Sequence, residues 1–287
     1  MLKIENLSKS FGDKIIYKDI NIEFLQERIY AVFGINGAGK STFLRTIAGI
    51  YKQDEGKIFF EDKDIFIDFS YRNDIFYIAD EEVFFPRKNI KECIDFYKCF
   101  YNSFCEDTFI NLQDIFKLSL KDSITTFSKG MKKQAILLIL LPFLPKCIIL
   151  DETFDGVDPL IKVKLKKYLI DLVEEKNICI IVSSHNISDV ENFADEFYIM
   201  DSNNLNQAFT ETEDKYNRVD IILSNDIDIN TLSLDILESR KIGRSYSLLL
   251  KNSKEHIIKI FNQFNIVDYE ISQVSKEEQF LLEVEGR

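Results

Sequence analysis

The 287-residue chain carries 36 basic against 48 acidic residues, a formal net charge of −12. A field of that sign repels nucleic acid and anionic lipid headgroups, so no nucleic-acid partner is expected, although a local basic site for phosphates stays open. With 46% hydrophobic and 29% charged residues, a packed core is expected and wholesale disorder is excluded.

In chain order, Leu2, Ile4 and Leu7, then Ile20, Ile22 and Phe24, alternate with polar residues as a half-buried antiparallel sheet does. Arg28 to Phe33 reads as a buried strand running into a glycine-rich loop, followed by a helix from Ser41 to Ile50. From Asp80 to about Leu144 the spacing turns helical, with Ile90, Cys93, Ile94, Tyr97 and Cys99 near one face and Phe109, Leu112, Ile115 and Phe116 suggesting another. Strand and helix then alternate through Cys147–Leu150, Leu160–Val173 and Ile178–Val182, which implies a parallel sheet wrapped by helices, with the helical stretch inserted into it. A polar, acidic segment from Ser202 to Asp214 marks a boundary. Beyond it come strand-like runs at Val219–Leu223 and Tyr246–Leu250, a helix from Lys254 to Phe264, a strand near Ile266–Ile271 and a last helix at Ser275–Leu282. The expected domains are therefore residues 1–205, with a helical subdomain at about 80–144, and a small α+β appendage at 206–287.

No segment at the start has the basic-then-apolar layout of a signal peptide. The longest apolar run, near Ala135 to Phe143, is broken by Pro142 and is roughly half the ~20 residues of a membrane span. A soluble protein with any membrane role acting through a partner is expected. Cys93, Cys99, Cys105, Cys147 and Cys179 match no common zinc spacing and read as incidental thiols.

Two motifs carry chemistry by their residues alone. Gly34-Ile35-Asn36-Gly37-Ala38-Gly39-Lys40-Ser41 fits the P-loop pattern between a strand and a helix, where backbone N–H groups converge on phosphates. Lys40 then reaches the β- and γ-phosphates and Ser41 ligates Mg²⁺. Cys147 to Glu152 is an apolar strand ending in two carboxylates: Asp151 suits the metal, Glu152 the general base that polarises the attacking water.

Further motifs, in order, resemble those of the ATP-binding-cassette (ABC) ATPases of bacterial exporters over about residues 1–205. Phe127-Ser128-Lys129-Gly130-Met131 is similar to the family's signature, Thr153 to Pro159 to its D-loop, Ser183-Ser184-His185 to its H-loop and Ser10-Phe11-Gly12 to its A-loop. The resemblance implies a P-loop NTPase α/β fold: a RecA-like mixed sheet with an N-terminal antiparallel subdomain, an inserted helical subdomain and the C-terminal appendage. It implies ATP bound by Phe11, stacked on adenine, and by Gly34, Asn36, Gly37, Ala38, Gly39, Lys40, Ser41 and Thr42. In trans, Ser128, Lys129 and Gly130 grip the γ-phosphate held by a second copy, and Asp158 crosses that dimer interface. Glu152, His185 and Lys40 are the implied catalytic residues, with Mg²⁺ on Ser41, Asp151 and Asp80.

Five positions depart from the family or stay open. Asp80 stands where the Q-loop glutamine is usual, with Glu81 beside it as a substitute, and Thr153 and Phe154 replace the usual Pro and Thr. Tyr17 is the alternative to Phe11, and His256 reads as structural. The implied function is hydrolysis of Mg-ATP in a head-to-tail dimer that drives separate transmembrane permease subunits from the cytoplasmic face of the membrane, exporting a peptide or drug. Permease helices are expected to dock near Asp80 to Lys88. The alternative is a non-transport or regulatory cassette with weak turnover.

Overall fold

The structure, a computed structural model, describes residues 1–80, 87–201, 203–210, 216–223, 229, 232–264, 266–275, 278–279 and 282. The chain divides into two compact units, Met1–Gln207 and Ala208–Arg287.

In the first unit, β1 (Leu2–Phe11), β2 (Lys14–Phe24), β4 (Glu55–Phe60) and β5 (Lys63–Asp64) form an antiparallel sheet in the order β2-β1-β4-β5. Its inward positions, among them Leu2, Ile4, Leu7, Ile20 and Phe24, are the alternating apolar residues of these strands, and all are buried. The second sheet has the order β10-β9-β3-β8-β7-β6, built from β10 (Asn204–Thr210), β9 (Glu196–Asp201), β3 (Arg28–Phe33), β8 (Cys179–Ser184), β7 (Cys147–Asp151) and β6 (Ile75–Ile78). The neighbours β9, β3, β8, β7 and β6 run parallel. Every residue of β7 and β8 is buried, which is why these strands read as unbroken apolar runs rather than alternating ones.

Helix α1 (Lys40–Ile47) places Phe43, Leu44 and Ile47 in one core with residues of both sheets, including Leu7, Val32, Ile149 and Ile181. The inserted helices are α2 (Ile90–Tyr97), α3 (Glu106–Phe116) and α4 (Lys129–Leu140). A capping box starts α2: the Asn89 side chain accepts from the Glu92 N–H at 2.9 Å, and the Glu92 carboxylate accepts from the Asn89 N–H at 3.0 Å. That helix ends at Tyr97, so Cys99, placed on its face by spacing, is exposed. Asp158 and Pro159 begin α5 (Pro159–Lys176).

The second unit holds an antiparallel sheet, β12-β13-β11-β14, of β11 (Asn217–Leu223), β12 (Ile236–Ile242), β13 (Ser245–Leu250) and β14 (Ile266–Gln273), with α6 (Lys254–Phe261). Val219, Ile221, Leu248, Leu250, Ile257 and Phe261 share its main core.

Two elements differ from the sequence expectation for the same reason. Part of the polar stretch read as a boundary, and the charged run of β12, are strands at sheet edges, where one side of the ladder needs no partner and polar residues are tolerated. The expected helix at 275–282 lies largely outside the described residues. No helix among the described residues is long and apolar enough to cross a membrane.

Ile181 sits fully buried at the centre of the parallel sheet. Its replacement by Ala is expected to cost about 2–5 kcal/mol in urea unfolding of the first unit; a loss under about 1 kcal/mol would mean that this core is loosely packed.

Candidate functional site

Parallel pairing delivers the strand ends to one edge of the sheet. Phe33 lies opposite Ser184, Asp151 opposite Ser183 and Ile78 opposite Leu150. The glycine-rich loop, Asp80, the Asp151–Glu152 pair and His185 all leave the sheet there, the edge where open α/β sheets bind ligands.

The loop from Gly34 to Gly39 wraps into the first turn of α1. Gly39 has φ 108°, and a Cβ there would meet Ile16 Cγ2 at 2.6 Å, so glycine is required on both counts. Lys40 is buried; its Nζ donates to the Gly34 carbonyl at 2.8 Å and the Ile35 carbonyl at 3.4 Å, and lies 3.5 Å from Glu152 Oε1. A cavity of about 260 Å³ opens over Asn36, Gly37, Lys40, Ser41, Thr42 and Glu152. Unpaired N–H groups at the start of α1 and the Lys40 charge make this an anion cradle.

Asp151 is 1% exposed, and three hydroxyls converge on its carboxylate. Oδ1 accepts from Ser183 Oγ at 2.7 Å and Ser41 Oγ at 3.1 Å, and Oδ2 accepts from Tyr77 OH at 2.7 Å. Burial, and then the Asp151 charge, push the Tyr77 phenol well above its ordinary pKa, so it stays a donor. Arg45 Nε in turn donates to Tyr77 OH at 3.0 Å. The Ser41 hydroxyl and Asp151 carboxylate are hard oxygen donors within hydrogen-bond distance of each other, a set that fits Mg²⁺.

Glu152 has a left-handed backbone, φ 48°, and its N–H donates to Ser183 Oγ at 3.1 Å. Its carboxylate faces His185, whose Nδ1 lies 3.6 Å from both Glu152 Oε2 and Asp155 Oδ2. Phe11 is half exposed, meets Tyr51 edge-on at 5.9 Å and carries Lys9 Nζ over its ring at 5.3 Å from the centroid. The alternative, Tyr17, is fully buried and donates to Thr46 Oγ1 at 2.7 Å, which removes it from consideration.

The remaining motif residues lie at helix starts, and Asp80 alone departs from the sequence expectation. Ser128 caps α4, accepting from the Met131 N–H at 3.3 Å, and Lys129 begins that helix. Gly130 lies close against the chain itself: a Cβ there would meet the Gly156 carbonyl at 2.4 Å. Asp158 accepts from the N–H groups of Leu160 and Ile161 as the cap of α5. Asp80 does not join Ser41 and Asp151. Its Oδ1 accepts from Lys133 Nζ at 2.7 Å and lies 3.3 Å from Lys129 Nζ. Burial alone would raise the Asp80 carboxyl; the two lysines outweigh it and hold it below the ordinary range. Phe154 packs edge-on against Phe193 at 5.5 Å, and the buried Thr153 hydroxyl meets no partner among the described residues. Glu81 and the 81–86 part of the expected docking segment lie outside the described residues. His256 is at the start of α6, where its N–H donates to Ser253 Oγ at 3.3 Å.

Sequence reasoning missed Tyr77, Asp155 and Lys133, and gave Ser183 no role of its own. Tyr77 hides in an apolar strand, Ser183 in an apolar run, and Lys133 among the other lysines of the first turns of α4, so none of them stands out by spacing.

The model of the family described as "ABC transporter" matches residues 17–155. The ABC transporter ATP-binding protein YtrB of Bacillus subtilis is 24% identical over 290 residues, spanning 100% of this chain and 99% of its own length. The lantibiotic transport ATP-binding protein SrtF of Streptococcus pyogenes is 33% identical over 199 residues, 68% of this chain and 84% of its own length. Among solved structures, a dimeric bacterial ABC transporter cassette superposes with a TM-score of 0.66 at 18% identity, covering 74% of this chain and 100% of that one.

Tyr77→Phe removes one donor from Asp151 and the acceptor of Arg45 Nε, leaving Arg45 its longer bond to Tyr51 OH, an expected loss of about 1–3 kcal/mol in urea unfolding; unchanged stability would show that this network carries no load. The folded Asp80 pKa is lowered, so its contribution is present above the ordinary carboxylate range and is lost as pH falls through the lowered value. Asp80→Asn is therefore expected to be less stable than the unaltered protein at pH 7, with the gap closing in acid. A gap independent of pH would refute the charge pairing.

Proposed function

This chain belongs to the ABC transporter family, and from that premise we propose that it is the Mg-ATP-hydrolysing subunit of an exporter whose membrane-spanning subunits are separate chains. The observation that carries this reading is the meeting of Lys40, Ser41, Asp151, Glu152 and His185 at one sheet edge.

In this reading the phosphates enter the cradle of residues 34–42, and Lys40 exchanges its bonds to the loop carbonyls for the β- and γ-phosphate oxygens. Phe11 stacks on the adenine. Ser41 and Asp151 would hold Mg²⁺, which would supply neutralising charge beside the phosphate oxygens. Glu152 takes the proton of the attacking water, and His185 contacts the γ-phosphate and orients the Glu152 carboxylate. The γ-phosphate is completed in trans by Ser128, Lys129 and Gly130 at the N-terminus of α4 of a second copy, with Asp158 at the interface. The dimeric state of the similar cassette supports that pairing. Closure and reopening of the dimer drive the permease at the cytoplasmic face of the membrane.

The name of the lantibiotic-transport relative supports a peptide cargo, an antimicrobial or toxin, or else a drug. Residues 206–287 act as an accessory or regulatory domain on this reading. One observation favours a second one, a regulatory cassette with weak turnover: Asp80 is engaged by lysines instead of facing the metal ligands.

Glu152→Gln is expected to lower ATP hydrolysis at least a hundredfold while ATP-dependent dimerisation, followed by sedimentation, is retained. Lys40→Ala is expected to weaken nucleotide binding itself. Failure of the unaltered protein to hydrolyse ATP with Mg²⁺, even alongside a copurifying polytopic partner, would overturn the enzyme reading.

A further inference from the structure

Lys133 is the most deeply buried lysine side chain near the site, 1% exposed, in a chain with many lysines in water. A lysine ammonium is costly to bury, and such a group persists when each of its bonds is made by something the fold needs held. Its Nζ has two partners. One is Asp80 Oδ1 at 2.7 Å, and the other is the backbone carbonyl of Glu152 at 2.5 Å.

The Glu152 peptide is in an unusual position. Its φ of 48° lies in the left-handed region, which a glutamate adopts only where the surroundings impose it. Its N–H is tied to Ser183 Oγ, and its carbonyl accepts from Lys133 and, in the turn itself, from the Asp155 N–H at 3.2 Å. The carboxylate by contrast is loosely held: Lys40 lies 3.5 Å from one oxygen and His185 3.6 Å from the other, both beyond a good hydrogen bond. The direction of the Glu152 side chain is therefore set first by its backbone, from the Ser183 side and from α4, with His185 only near enough to steady the carboxylate. The first turn of α4 already presses on this loop, because Gly130 sits where a Cβ would strike the Gly156 carbonyl at 2.4 Å. Lys133, one turn further along, closes that contact with a charge.

We propose that Lys133 is a positioning residue for Glu152: its ammonium, neutralised by Asp80, holds the Glu152 carbonyl and so aims the carboxylate at the attacking water. The inference rests on Glu152 acting as the base. It also gives Asp80 a purpose other than metal ligation, as the counter-charge that lets a lysine stay buried beneath the base.

Lys133→Met keeps an unbranched side chain one atom shorter and removes its donor; Lys133→Arg keeps charge and donors. In Lys133→Met, kcat for ATP is expected to fall at least tenfold with KM within about twofold, because the nucleotide cradle is untouched. Amide exchange of the 152–157 turn, read by mass spectrometry, is expected to quicken at least fivefold while β7 and β8 keep their protection. Both effects are expected to recover to within about threefold in Lys133→Arg. An unchanged kcat, an unchanged turn, or exchange quickened equally across β7 and β8 would overturn the proposal, the last marking a merely structural residue. The exchange measurement needs no turnover. If the unaltered protein proves inactive, the ATPase reading falls, while the hold of Lys133 on the turn is still decided by the exchange rates.

Discussion

A carboxylate buried to 1% must be surrounded by donors or it cannot stay there, and Asp151 is the group around which this site is arranged. Its three hydroxyl partners come from three different elements: Ser41 from α1, Tyr77 from β6 and Ser183 from β8. Satisfying one charge thus locks the helix after the phosphate loop to the two strands that flank β7. The same Ser183 hydroxyl accepts from the Glu152 N–H, so the orientation of the next carboxylate follows from the solution found for the first.

The second constraint is steric. Gly39 and Gly130 stand at two places where the chain approaches too closely for a side chain, the first against the Ile16 side chain of β2 and the second against the backbone of the turn after Glu152. These contacts set the starts of α1 and α4 against the rest of the fold, and each start is an N-terminus with free N–H groups. Electrostatics follow the same geometry. In a chain of net charge −12, two lysines, Lys40 and Lys133, are withdrawn almost wholly from water to the one edge where the acidic residues Asp80 and Glu152 emerge. The charge of the whole molecule says little about a site of this kind, since its local balance is made by buried groups at hydrogen-bond distance.

The 208–287 unit is organised on different terms. Its antiparallel sheet has a core of its own on one face, with Ile257 and Phe261 of α6 covering Val219, Ile221 and Leu248. The described residues bring no cluster of acid, histidine and cysteine together in it, in contrast with Glu152, Asp155 and His185 in the first unit.

What the sequence by itself determined was everything local or periodic. The phosphate loop is a contiguous pattern, and β3, β7 and β8 announce themselves as apolar runs because burial on both faces leaves no room for polar residues. The order of the motifs was enough to name the family. What only the tertiary structure decided were the partnerships across the chain. Asp80 and Lys133 are 53 residues apart and Tyr77 and Asp151 are 74 apart, separations at which spacing carries no information about contact. A carboxylate in the Q-loop position reads equally as a metal ligand or as an ion-pair partner until α4 is packed against β6 and a lysine is seen to reach it. Edge strands escaped notice for a related reason: β10 and β12 bury little, and a pattern imposed by burial is absent where burial is absent.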